Sequence, residues 1–325
     1  MGRRRRLAAV AALLAALAGL WALLAPGAGR APRPIGCRID VALAVPRLEA
    51  APIVLAGPVR QRGRGACRLD LVTGPAAGRA PLALVSGAAW AGPTPTRRVP
   101  FLLVAQRAGA LVVSRTAQAP HFLWHGVAGR VMVLSNAAGD LGPTVVRAML
   151  AAHAVPTALV LRGLGEAAFA AGTGDYLELP LWPAERLIAA GRAHFAADLA
   201  IQAGPLPAAV LAASPAYART DGSHLFAVAR AVAAAQAALL ERPAALVARW
   251  PGRLGPAGLK ALARALARAR YEQLWPDDPR LDAALFVRLS VLRQAAGESA
   301  LSPPRWLVGP AEAALRRLAP PRAGP

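Results

Sequence analysis

Apolar runs too short to be helices recur along this chain, and longer helical stretches separate them. Ile39 to Val45, Leu69 to Val72, Pro81 to Val85, Phe101 to Ala105 and Ala110 to Ser114 form a first series. Val131 to Leu134, Thr157 to Leu161 and Tyr176 to Leu179 form a second, and Leu206 to Ala212 reads as a strand returning to the first. Strands of this apolar kind, alternating with helices, are the pattern of βαβ units and predict a mainly parallel sheet. Leu48 to Arg60 predicts a helix after the first strand, with Pro52 tolerated in its first turn. Pro143 to His153 and Glu166 to Ala171 predict helices between later strands. Beyond the returning strand, helical spacing of apolar positions marks 222–242, 256–271, 281–297 and 310–318. At 325 residues the chain exceeds one ordinary domain, so two α/β lobes with a helical C-terminal part are expected.

The N-terminus reads as an address. Arg3-Arg4-Arg5-Arg6 precedes the uncharged apolar run Leu7 to Leu24, and small residues follow. That order is an export signal, and the run is also long enough to span a bilayer. The basic end would stay cytoplasmic, which places the rest of the chain outside, periplasmic or on the outer face of the membrane. Residues 26–36, rich in Pro, Gly and Arg, read as a linker. The net charge of +21 comes from dispersed arginines with few aromatics, Lys260 being the single lysine; a nucleic-acid footprint needs clustered phosphate contacts and stacking platforms, so that partner is set aside. Cys37 and Cys67 are too few for a disulfide scaffold or a four-cysteine zinc site. They precede neighbouring strands, which leaves a single disulfide and two half-buried thiols both open.

Phe169-Ala-Ala-Gly-Thr-Gly-Asp-Tyr176, followed by Trp182-Pro-Ala-Glu185, sets a small-residue turn, an acid and aromatics between a helix and a strand. α/β proteins build ligand clefts beyond strand ends in this way. With Ala203-Gly-Pro-Leu-Pro-Ala-Ala-Val210 and Leu274-Trp-Pro-Asp-Asp-Pro279, it resembles the substrate-binding proteins of ABC importers of the nitrate/sulfonate/taurine type. The closest resemblance is to the SsuA-like branch grouped with thiamine-pyrimidine-precursor proteins. Gly129-Arg-Val-Met-Val-Leu-Ser-Asn136, Thr144-Val-Val-Arg-Ala-Met-Leu150, Ala213-Ser-Pro-Ala-Tyr217 and the helix ending Ala235-Gln236 extend the likeness over roughly residues 38–300. The resemblance implies a type II periplasmic-binding-protein fold with lobe I at 37–115 and 205–325 and lobe II at 116–204, after a signal or anchor and linker at 1–36. It implies a small-molecule ligand, an ABC permease and its ATPase as partners, and no cofactor. The first lobe departs from the family at Val59-Arg-Gln-Arg-Gly-Arg-Gly65 and at the shortened Thr73 to Ala80, so half of the cleft is remodelled.

Candidate ligand-binding residues follow from strand ends. Arg47, after the first strand, carries a fork of donors suited to a carboxylate, sulfonate or phosphate. Ser86 and Trp90 follow the third strand, where glycine admits backbone donors and the indole can stack on a ring or fill the gap left by the shortened helix. Ser135 and Asn136 precede the helix at 143–153, whose free N–H groups attract anions; Asp140 reads as its cap. Asp175, Tyr176 and Trp182 offer an acid with aromatics, which suits a cationic or amino-substituted ring; the alternative is a turn at Gly172 to Asp175 with Tyr176 in the core. His121 and His125 flank a loop with no accompanying Glu, so no metal site is expected. No G-x-S-x-G elbow, P-loop or H-E-x-x-H motif is present, and no enzyme is expected. Two rival readings stand: a binding-dead or sensory membrane-tethered relative, and a pyrimidine-synthase-like enzyme.

Overall fold

The computed structural model describes residues 37–301 except 44–46, 61–64, 88, 90–97, 119–120, 136–139, 156–158, 163–164, 220–221, 244–246, 248–249 and 251–253. Two sheets organise it. The first has the order β2-β3-β1-β4-β11-β5, from β1 (Cys37–Ala42), β2 (Val59–Arg60), β3 (Ala66–Val72), β4 (Leu82–Ser86), β5 (Val99–Ala105) and β11 (Ala209–Ala213). The second has the order β10-β6-β9-β7-β8, from β6 (Ala110–Ser114), β7 (Val131–Leu134), β8 (Leu159–Arg162), β9 (Tyr176–Pro180) and β10 (His194–Asp198). β1 runs parallel to β3 and β4, and β7 parallel to β8 and β9. The apolar runs are strands because their residues are covered on both faces: Leu102 to Ala105 and Ala110 to Val113 are all buried.

Helices cover the sheets: α1 (Ala51–Leu55), α2 (Gly142–Ala152), α3 (Glu166–Ala170), α4 (Leu181–Ala189), α5 (Leu199–Ala203), α6 (Pro215–Arg219), α7 (Gly222–Glu241), α8 (Pro256–Tyr271) and α9 (Ala283–Ala295). The helix expected over Leu48 to Arg60 is shorter. A 3-10 turn at Leu48–Ala50 leads into α1, and the chain then extends into β2. β10, α4 and α5 were not anticipated; β10 and α5 span only 5 residues each, too short for a period to show. The helix expected at 310–318 and the basic-apolar N-terminus lie outside the described residues. α7 is long and apolar enough to cross a membrane, but Leu225, Val228, Val232 and Leu239 are fully buried and Gln236 donates both amide hydrogens inward, to Leu103 O and Val104 O at 3.1 Å each. It is a core helix here.

Two segments cross between the sheets. Residues 106–109 join β5 to β6, and residues 199–208 bring β10 back to β11. Ala110 to Ser114, expected to close the first series and to lie in lobe I at 37–115, is corrected: as β6 it pairs with β9 and β10 in the second sheet, so the first crossing comes at 106–109. The two crossing segments bond to each other through Leu206 N–H to Gln106 O at 2.7 Å. The Leu274-Trp-Pro276 word anchors them: Gln106 N–H donates to Leu274 O at 2.9 Å, its side-chain amide donates to Gln273 O at 3.1 Å, and Trp275 is fully buried.

Cys37 and Cys67 stand opposite each other in the parallel register of β1 and β3, with Cα atoms 4.5 Å apart, and are bonded. The bridge closes a loop of 30 residues, and in the chain-entropy picture that constraint is worth about 3–4 kcal/mol. Converting both cysteines to serine should lower the unfolding free energy measured by urea titration by that amount. A change below about 1 kcal/mol would mean that the bridge constrains nothing the sheet does not already fix.

Candidate functional site

β1 and β4 are parallel neighbours, so the loops after them leave the same edge of the first sheet. Arg47, extended at φ −134°, opens the 3-10 turn that carries Glu49. Ser86 ends β4, and its hydroxyl accepts the Ala89 N–H at 3.4 Å. Gly87 comes next, at a crowded point. A Cβ there would stand 2.6 Å from Leu289 Cδ2, 2.7 Å from Pro207 O and 3.5 Å from Leu141 Cδ1. A first-sheet loop, the return crossover, α9 and the loop preceding α2 therefore meet at one place. Glu49 is only 8 % exposed; burial pushes its carboxyl up, Arg47 opposes this, and Asp140 on the second-sheet side adds to it.

Across the junction, β7 ends at Leu134 and Ser135 begins the facing loop. Ser135 donates twice: its N–H to Glu178 Oε2 at 3.0 Å and its hydroxyl to Asp140 Oδ2 at 3.0 Å. Asp140 Oδ1 accepts the Gly142 N–H at 2.9 Å, so this acid does hold the start of α2. Arg47, Ser86 and Ser135 are thus brought to one junction, together with Glu49, Asp140 and Glu178. Sequence reasoning missed Glu49 and Glu178. The available signal for the second was a lone acid inside the apolar strand Tyr176-Leu-Glu-Leu-Pro180.

Asp175 and Tyr176 are placed elsewhere. Asp175 exchanges bonds with the first residue of β7: its Oδ2 accepts the Val131 N–H at 2.9 Å, and its own N–H donates to Val131 O at 2.9 Å. β7 and β9 run parallel, so this is the end opposite Ser135, about 13 Å away at 3.3 Å per residue. Arg115 completes the corner with its Nε on Gly174 O at 3.1 Å and its guanidinium 4.4 Å over the Phe169 ring. Gly174 is required by conformation, at φ 81° with Val133 Cγ2 only 2.5 Å from any Cβ. The Gly-Thr-Gly-Asp word is therefore a structural corner, and Tyr176 is buried with its hydroxyl on Gln118 at 3.2 Å. Trp182, in the first turn of α4, packs edge-on against Trp250 with ring centres 5.5 Å apart. Trp90 and Asn136 lie outside the described residues. Among the described residues, no three His, Cys, Asp or Glu side chains group to hold a metal.

No family model matches this chain, and no curated protein matches it by sequence. Solved structures do match. A ligand-binding component of an ABC-type import system from Staphylococcus aureus, with zinc bound, aligns at TM-score 0.62 and 11% identity, covering 87% of this chain and 99% of that one. The sulfonate ABC transporter protein SsuA from Methylobacillus flagellatus, a periplasmic sulfonate-binding protein by its description, aligns at 0.59 and 14% identity, covering 86% and 94%. This chain has the two-lobed fold of periplasmic ligand-binding proteins. The desulfurization enzyme DszB is similar as well, at TM-score 0.52 and 16% identity over 86% of this chain and 99% of that one, so the fold also carries chemistry elsewhere.

Within this periplasmic-binding-protein fold, a second polar cluster ties α8 to α4 and to the return segment. Glu185 of α4, 1 % exposed, accepts Arg264 Nε at 3.0 Å and Arg268 Nε at 2.7 Å. Arg268 also lies 3.7 Å from Asp198, which caps α5 by accepting the Ala200 N–H at 3.0 Å. Glu272, one turn beyond Arg268, is buried beside Asp198, and burial with that neighbouring acid pushes its carboxyl to about 10. The charges balance if Glu272 is neutral: two arginines face two carboxylates. Glu185 therefore belongs to this clasp and not to the mouth of a cleft.

Proposed function

We propose that this chain is the extracytoplasmic solute-binding component of an ABC importer, taking a small organic molecule between lobe I, built on the first sheet, and lobe II, built on the second, which meet at the crossovers 106–109 and 199–208. The observation that carries this reading is the convergence of the loops after β1 and β4 with the loop after β7, seen where Leu141 meets Gly87 and Asp140 acts on Glu49. Strand-end loops facing across two crossovers are where such folds hold ligands. Closure then follows, because a ligand touching both lobes adds contacts only in the shut state and shifts that population. The closed form would dock on a permease driven by its ATPase. Arg47 suits an acidic group, while the Glu49 carboxyl beside it suits an N–H donor. That mixture favours an aminopyrimidine-like or sulfonate-like organic molecule over a bare inorganic anion. The protein acts here as a binder and not as an enzyme.

Export is part of the reading. Arg3 to Arg6 before the Leu7 to Leu24 run supports it, as does the Cys37–Cys67 bridge, since disulfides persist in oxidising compartments. A reporter active only outside the cytoplasm, fused after Arg38, should be active. Silence from a well-expressed fusion would refute export and with it the importer role.

A further inference from the structure

Glu178 is fully buried, and one of its oxygens lacks a donor. Its Oε2 accepts the Ser135 N–H, while Oε1 has no hydrogen-bond partner among the described residues. Oε1 lies against Gly142, where a Cβ would overlap it, and the carboxyl faces Asp140. Asp140 is itself engaged, by the Ser135 hydroxyl and the Gly142 N–H. A fully buried carboxyl beside a second one cannot ionise at ordinary cost. One proton between them satisfies the orphaned oxygen and removes the repulsion.

Among the described residues, the groups around Glu178 are mostly apolar or acidic. On β6, Ala110 and Val112 neighbour Glu178; β7 contributes Leu134, and the loop after it Ser135. Across the junction stand Glu49, a further acid, and Arg47, whose charge acts on Glu49. The ionic groups of the helices packed on β9 are committed elsewhere: Glu185 to Arg264 and Arg268, Arg186 to Glu166, and Arg147 to Glu298.

We propose that a proton shared by Glu178 and Asp140 latches Ser135 and Asp140 onto β9, which makes Glu178 a positioning residue for the lobe II side of the cleft. Naming Ser135 a part of the ligand surface rests on the binding reading above; the latch itself does not. In the latched state Glu178 accepts from Ser135 N–H and donates its own O–H to Asp140. Burial and the Asp140 charge, which push the Glu178 carboxyl well above its ordinary value, support this protonation. Loss of the proton leaves two carboxylates side by side, with Glu49 a third nearby, and Asp140 is driven off Glu178.

Glu178→Gln separates this from a plain packing role. Its amide oxygen can accept from Ser135 and its NH2 can donate to Asp140 at any pH, whereas Glu178→Leu fills the space and does neither. The experiment uses the mature chain without added ligand. Infrared difference spectra of wild type against Glu178→Gln at pH 7 should contain one protonated-carboxyl band from wild type. Amide exchange at Ser135 and Gly142 should be equally slow in wild type and Glu178→Gln at pH 7, and about tenfold or more faster in Glu178→Leu. Above neutral pH, wild-type exchange at these amides should rise faster than that of Glu178→Gln. Spectra with no protonated-carboxyl difference, or identical pH profiles for wild type and Glu178→Gln, overturn the latch. If Glu178→Leu does not fold, the wild-type and Glu178→Gln pair decides alone. Because no ligand enters, failure here leaves the binding reading standing, and failure to find a ligand leaves the latch standing.

Discussion

Replacing Arg268 by alanine should lower the unfolding free energy by about 3–5 kcal/mol, the usual cost of stripping the partner from a buried charge. Arg268 is the hub of the clasp: it bonds Glu185 at 2.7 Å and approaches Asp198 at 3.7 Å. Its removal leaves Glu185 in the interior with only Arg264, whose side chain is 45% exposed. Arg264→Ala should cost less, because water already shares that pairing. Urea unfolding of both variants checks the order. An Arg268→Ala loss below about 1 kcal/mol would show that Glu185 is solvated or re-partnered, against the buried clasp described here.

Stability should also fall as pH rises. Glu272 is raised from an ordinary 4.5 to about 10 by burial and by Asp198. The folded chain therefore holds a proton that the unfolded chain releases above about pH 4.5. A raised carboxyl contributes its stability fully below the unfolded value and loses it steadily up to the folded one. The slope for one proton is about 1.4 kcal/mol per pH unit, so wild type should lose roughly 2–3 kcal/mol between pH 5.5 and 7.5 from this group. Glu49 and Glu178, also raised by burial, act in the same direction. Glu272→Gln keeps the shape and removes the titration, so its pH dependence should be shallower by that slope. Parallel stability curves for the two proteins would contradict a neutral, buried Glu272.

The fold was legible where residues are buried on both sides. Val131 to Leu134 and Phe101 to Ala105 read as strands because burial on two faces permits no polar alternation. Leu274-Trp-Pro276 and Ala235-Gln236 were recognisable as words, and they prove to be the pieces that fix the crossover and hold α7 on β5. Of the candidate site, Arg47, Ser86 and Ser135 could be grouped from the sequence because residues after parallel strands leave one edge. The role of Asp175 could not be read, because a small-residue turn with an acid serves equally well as a corner brace, and its carboxylate accepts the Val131 N–H. Glu178 was invisible for a different reason. A single acid in an apolar strand gives no spacing to read, and its partner Asp140 is far along the chain, so only the folded register brings them together.

Titration calorimetry of the mature chain tests the central claim most directly, with an aminopyrimidine, taurine and nitrate as probes against wild type and Arg47→Ala. The account predicts that an organic probe binds wild type one-to-one and that Arg47→Ala weakens it by about tenfold or more, a charge-assisted bond being worth roughly 1.5–3 kcal/mol. Binding of any probe that ignores Arg47→Ala, or preference for nitrate over both organic probes, would contradict it.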